Sequence, residues 1–183
     1  MEKNTEEFRR WLAATRDEPL EGMAAFFDAR TGEYEAHMAP WAAQYQWMAR
    51  ELPAGTKRLL DLGCGTGLEL DCIFRRFPAL EVTGVDLAGK MLDLLRRKHP
   101  GRALTLVQAD YFAWEPGDGS FDAVVAFETL HHVNAAKKAE LFAKVHRWLR
   151  PGGVFLECDY IASTPEMEEM AFAEAARRRA RDG

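Results

Sequence analysis

One segment limits what this chain can fold into more than any other. Leu59-Leu60-Asp61-Leu62-Gly63-Cys64-Gly65-Thr66-Gly67 is a short apolar strand that runs into three alternating glycines, followed by a helical pattern with Leu68, Cys72 and Ile73. Glycine at alternate positions lets the backbone turn tightly and lets a ligand approach it closely, while the N-terminal amides of the next helix face the same point. Strand, tight turn and helix in this order begin a βαβ unit, which predicts a mainly parallel sheet and a nucleotide-type site at its carboxyl edge. The dinucleotide fingerprint GxGxxG would need a glycine at position 68, where the chain has leucine. Asp61, just before the turn, would repel a pyrophosphate but suits a ligand that carries an ammonium group.

The rest of the chain fits that beginning. Near-continuous hydrophobic runs predict five strands, Arg58 to Asp61, Glu81 to Asp86, Ala103 to Asp110, Asp122 to Phe127 and Val154 to Tyr160, as a sheet covered on both faces requires. Helices fill the gaps. The clearest has Leu141, Val145, Trp148 and Leu149 on one face and is expected to stop at Arg150-Pro151-Gly152-Gly153. Upstream, Phe8, Trp11 and Leu12 form one helical stripe and Trp41, Tyr45, Met48 and Leu52 another, read as core or lid packing. The expected layout is a single α/β domain over 1–183, with a helical lid at 1–55, a core at 56–160 and a closing helix at 161–183.

Two further acids follow successive strands. Asp86 lies twenty-three positions beyond Gly63 (86 minus 63) at the end of the second strand, where a carboxylate can accept bonds from two ribose hydroxyls. The third strand ends in Gln108-Ala109-Asp110-Tyr111, which sets another carboxylate on the same edge, within reach of an adenine amino group.

Composition narrows the classes. With 48% hydrophobic and 29% charged residues over 183 positions the chain is too apolar for disorder. A formal charge of -5 and a pI near 5.6 argue against a broad nucleic-acid surface, so no nucleic-acid partner is expected. The Arg177 to Arg181 cluster reads instead as the end of a solvated helix, capped by Thr164 and started at Pro165. No apolar run is long enough to cross a bilayer and the N-terminus is polar and acidic, so no membrane partner and a cytoplasmic location are expected. Three cysteines without metal-ligand spacing predict reduced thiols.

At this point residues 30 to 160 resemble the class I S-adenosylmethionine-dependent methyltransferases of the small-molecule type, a Rossmann-like fold. The resemblance implies that Asp61, Gly63, Cys64, Gly65 and Gly67 cradle the methionine moiety and ribose of S-adenosylmethionine. It further implies that Asp86 binds the ribose hydroxyls, that Asp110 reads adenine, that Leu87 and Met91 pack near ribose and base, and that the backbone at Tyr111 touches the base. Tyr34 falls where an N-terminal lid often sets an aromatic ring against the cofactor. Phe121 to His132 and Leu149-Arg150-Pro151-Gly152-Gly153 are also similar to family landmarks. The family usually has seven strands ending in an antiparallel hairpin, whereas this chain stops after the helix at Thr164, which predicts an exposed edge on the fifth strand and leaves a shortened or partial enzyme as one expectation.

Methyl transfer from a sulfonium asks mainly for alignment and a deprotonated acceptor. A catalytic base, if used, is expected at His131 or His132, which follow the fourth strand; packing and backbone hydrogen bonding are the alternative roles. Glu128 is expected near the methionine end of the cofactor or the substrate entrance, and no metal is expected although Glu128 with the two histidines is a conceivable ligand set. The Pro-Pro-aromatic signature of DNA amino-methyltransferases is absent. The reading is a methyltransferase acting on an unidentified small-molecule acceptor, its oligomeric state open and a homodimer included. The alternatives are an NAD-dependent oxidoreductase and a cofactor-binding fragment without turnover.

Overall fold

The computed structural model describes residues 2–14 and 22–182. In chain order the elements are α1 (Glu2–Ala14), α2 (Met23–Ala29), α3 (Tyr34–Met38), α4 (Ala42–Glu51), β1 (Arg58–Leu62), α5 (Leu68–Arg76), β2 (Glu81–Asp86), α6 (Gly89–Lys98), β3 (Ala103–Gln108), β4 (Phe121–Phe127), α7 (Ala135–Trp148), β5 (Leu149–Cys158) and α8 (Pro165–Asp182). Short turns of 3-10 helix occupy Ala39–Trp41 and Leu130–His132. The chain divides into two compact units, one of Met23–Asp159 and one of Met1–Gly22 with Tyr160–Gly183.

The larger unit is a Rossmann-like α/β layer structure. Its five strands are all parallel in the order β3-β2-β1-β4-β5. The chain winds one way from β1 to β3 and the other way from β4 to β5, so the order reverses between β1 and β4. Helices diverge to opposite faces at such a point and leave a crevice at the carboxyl ends of the two strands. The alternation of β1 shows how both faces are filled. Leu59 packs with Ile73, Phe74 and Leu95 of α5 and α6, together with Tyr45 and Met48 of α4. Leu60 and Leu62 pack on the other face with Leu141, Val145 and Trp148 of α7. β4 is buried at every position, as a strand covered on both sides must be.

Strand boundaries differ from expectation by one residue at the end of β1 and the start of β4, and by more at β5 and at the end of β3. α7 ends at Trp148, and Leu149 has left the helix (ψ 137) and begins β5 opposite Phe121. The pairing slips between Phe121 and Ala123, and Gly152 takes φ +80, so the Pro-Gly-Gly turn becomes an irregular opening of the strand. β3 stops at Gln108, and Asp110 instead starts a turn in which its carbonyl accepts from the N–H of Ala113 (2.9 Å) and Trp114 (3.0 Å).

In the smaller unit, Arg9 of α1 reaches Glu166 of α8 at 3.3 Å. Thr164 caps α8 by accepting from the Met167 N–H at 3.2 Å, and Arg177 and Arg178 both pair with Glu174 within their own helix. Phe8 and Trp11 stack with centroids 5.7 Å apart, but Trp11 is 60% exposed, so the first aromatic stripe is not a core stripe within this unit. The second stripe is core: Tyr45, Met48 and Leu52 are buried and Trp41 packs against them. Among the described residues no helix is long and apolar enough to cross a membrane.

Candidate active site

The glycine turn leaves β1 at the point of strand-order reversal. Gly63 has φ +69 and Gly65 φ +47, in the left-handed region that favours glycine, and the Gly63 N–H donates to the Val85 carbonyl at 2.8 Å. A side chain on Gly63 would run into Thr129, which follows β4. A Cβ on Gly65 would stand 3.5 Å from the Tyr34 hydroxyl, occupying open space between the turn and α3. Gly67 forms the N-cap of α5 in a left-handed conformation. Cys64 turns its thiol into the core, close against Gly84 of β2, so only its backbone belongs to the turn; burial pushes that thiol's pKa well up.

Asp86 is tied to the same turn. Its Oδ2 accepts from the Gly65 N–H and its Oδ1 from the Ala88 N–H, each at 2.8 Å. Burial raises its pKa, and these backbone donors oppose the rise. Asp61 lies behind the turn with no exposed surface. Among the described residues no donor reaches either of its oxygens, so a buried carboxylate is left without a partner, which is costly and unusual. Burial, and next the charge of Glu69, drive its pKa well above the usual range. Glu69, in the first turn of α5 and 4% exposed, is raised to about 7, chiefly by burial.

In front of the turn is a cleft with an empty volume of about 530 Å³, counting its solvent-open part. It is lined by Gly63, Gly65 and Asp86, by Leu87, Ala88 and Met91 that follow β2, and by Tyr111, Phe127, Glu128 and Thr129. Tyr34 and three residues of α2, Met23, Ala24 and Phe27, complete the lining. α2 has no fully buried residue of its own and is tied to the start of α6 by Asp28, which accepts from the Lys90 N–H at 2.9 Å. Tyr34 titrates above its ordinary range because it is buried and faces several carboxylates, Glu69 foremost. Tyr111 is pushed up to about 12 by burial, and its hydroxyl bonds the Thr129 side chain at 3.1 Å.

Glu128 is the one non-glycine among the described residues with positive φ (+47). A left-handed non-glycine costs roughly 1 to 2 kcal/mol and persists where the surroundings impose it, often at functional sites. Just beyond it, Oδ2 of Asp159 accepts from the N–H of Leu130 (2.6 Å) and His131 (3.0 Å), and its Oδ1 meets His131 Nδ1 at 2.6 Å. An N–H at Nδ1 donating to this carboxylate makes Nε2 the basic nitrogen of the neutral ring.

Of the residues expected from sequence, the cleft brings together Tyr34, Gly63, Gly65, Asp86, Leu87, Met91, Tyr111 and Glu128. Asp61, Cys64 and Gly67 support it from behind. Asp110 is exposed, and its Oδ1 accepts from the Phe112 N–H at 2.8 Å. The side chain of His132 lies outside the described residues. Sequence reasoning missed Met23, Phe27, Phe127, Thr129, Glu69 and Asp159. Met23 and Phe27 carried a weak signal in their four-residue spacing; the others carried none. Among the described residues no three His, Cys, Asp or Glu side chains are grouped to hold a metal ion.

A family model described as a methyltransferase domain matches residues 59–153. Trans-aconitate 2-methyltransferase of Acidovorax sp. is 36% identical over 107 residues, 58% of this chain and 40% of that protein. The fatty-acid O-methyltransferase of Mycolicibacterium smegmatis is 34% identical over 116 residues, 63% of this chain and 41% of that one. The solved S-adenosylmethionine-dependent methyltransferase of Mesorhizobium loti is 34% identical with a TM-score of 0.52, covering 61% of this chain and 51% of its own. The chain thus spans well under two thirds of these relatives.

Proposed function

The chain belongs to the methyltransferase domain family, and from that premise we propose that it binds S-adenosylmethionine in the cleft and transfers its methyl group to a small-molecule acceptor. The observation that carries this reading is the joining of Asp86 to the Gly65 amide in the lining of the cleft, with the wholly buried acid Asp61 at the end of β1 just before the turn. Ribose hydroxyls would donate to the remaining lone pairs of Asp86, and the negative field of Asp86 and Glu128 in the cleft lining favours a cationic ligand over a pyrophosphate. The open space at Gly65, which a Cβ would fill, admits the methionine moiety beside Tyr34.

Bound there, S-adenosylmethionine supplies a methyl group on a positively charged sulfur. The chain's own part is alignment, exclusion of water by Tyr34, Phe27 and Met23, and removal of a proton from the acceptor. We assign the last role to His131, which lies two positions beyond the cleft-lining Thr129 and not in the lining itself: a proton on Nδ1 facing Asp159 would leave Nε2 to accept the acceptor's proton. The relatives' names include two unlike acceptors, an unsaturated tricarboxylate and a fatty acid, so the acceptor is proposed only as a small molecule. The dinucleotide alternative has no support in the family match.

Calorimetric titration with S-adenosylhomocysteine and with NAD tests the reading. Binding of the former, weakened in Asp86→Ala and Gly65→Val, is the expected result. Binding of NAD alone would sink it.

A further inference from the structure

We propose that Asp61 and Glu69 form an acid pair behind the glycine turn that holds one shared proton, and that the pair releases this proton to solvent when the cationic cofactor binds. The proposal rests on S-adenosylmethionine being the ligand of the cleft.

Both side chains are almost wholly removed from water, at 0% and 4% exposure. As two carboxylates they offer each other no donor, and both Asp61 oxygens then remain unsatisfied. With one proton between them a hydrogen bond forms and one of the two buried charges disappears. Each element around the pair bears on that proton. From β2 comes Asp86, from α3 Tyr34, and from the turn itself Cys64, all neutral or negative. Tyr45 of α4 also faces Glu69, and Glu128 after β4 faces Tyr34 and Tyr45 in turn. On α5, Asp71 opposes the ionisation of Glu69. The cation that lowers Glu69 is Lys98 of α6, and it is shared with Asp71 at 2.9 Å and Glu35 at 3.0 Å. The surroundings therefore hold the proton in place until a positive charge arrives in front of the turn. S-adenosylmethionine brings an ammonium and a sulfonium. A carboxyl O–H bond then breaks, the proton passes to solvent, and the pair changes from one negative charge to two.

The experiment is titration calorimetry of the whole chain with S-adenosylmethionine near neutral pH, in buffers of differing ionisation enthalpy, beside infrared spectra of the free protein. The wild type is expected to show a protonated-carboxyl band that fades on binding, and a buffer-dependent heat corresponding to release of about one proton. S-adenosylhomocysteine, without the sulfonium, is expected to release less. Glu69→Gln should bind with heat that no longer depends on buffer, and Asp61→Asn serves should that variant not fold. Binding by the wild type with buffer-independent heat overturns the proposal. A carboxyl band without any binding keeps the acid pair, and it is then the cofactor reading and its coupling that fall.

Discussion

The backbone N–H of Gly65 donates to Oδ2 of Asp86 at 2.8 Å, joining the turn after β1 to the acid that ends β2. Asp86 thus shapes the turn as well as facing the cleft. Asp86→Ala should raise the Kd for S-adenosylhomocysteine about 100-fold, or about 3 kcal/mol, for loss of charge-assisted bonds. Asp86→Asn, which keeps one carbonyl acceptor, should fall between the two, as calorimetry would show.

Gly63 and Thr129 make a second junction, because a methyl group at 63 would collide with the threonine at a backbone angle that only glycine adopts easily. Gly63→Ala is expected to cost about 2 to 4 kcal/mol of stability in urea unfolding, from left-handed strain and overpacking together. An unchanged midpoint would mean that the turn is softer than described.

The strain at Glu128 can be separated from its charge. Glu128→Ala and Glu128→Gly both remove the carboxylate, but only glycine accepts φ +47 without penalty. The glycine variant should be the more stable by about 1 kcal/mol, with methyl transfer reduced in both. Equal stabilities would show that residue 128 relaxes once its side chain is gone.

For His131 and Asp159 the expectation is a thermodynamic cycle. Asp159→Asn offers an amide donor to Nδ1 and so favours the tautomer whose Nε2 is protonated and no longer basic. Either Asp159→Asn or His131→Asn should slow turnover roughly 100-fold at neutral pH, and the double variant should be little slower than the singles. Additive losses would reduce Asp159 to a cap on the 3-10 turn.

Stability should also follow pH through Glu69. Its folded-state pKa, about 7, lies above the ordinary 4.5, so the folded protein holds the proton more tightly than the unfolded chain. The resulting stabilisation is complete below pH 4.5 and is lost as pH rises through about 7. Free of cofactor, Glu69→Gln should therefore gain thermal stability relative to wild type as the pH is raised from acidic to mildly alkaline. A constant difference would place the proton elsewhere.

Much of the sheet was legible because strands covered on both faces must be apolar throughout: β2 was read as Glu81 to Asp86, its full extent. β5 was misread at its start because Pro151 and two glycines look like a stop. An edge strand tolerates a proline that cannot donate, and a glycine with positive φ carries the irregularity. The glycine turn and Asp86 were legible through spacing. Glu69 was not, since an acid in a helix's first turn ordinarily complements the helix dipole in water, and only the packing of α5 on the turn reveals its burial. Asp159 was hidden inside an overlong strand assignment. The cleft wall from α2 was missed because seven residues are too few to display a helical period.

Thr129 occupies the space that a side chain at Gly63 would need, and it also bonds the hydroxyl of Tyr111. The loops after β3 and β4 are thereby pinned to the glycine turn through one small residue. If the cleft holds the cofactor as proposed, the stretch around Thr129 is a poor place to randomise in search of altered acceptors, since substitutions there would disturb the glycine turn as well. Met23 and Phe27 are better starting points: they face the same cleft from a helix with no buried residues, where new shapes can be introduced without disturbing the junction beneath.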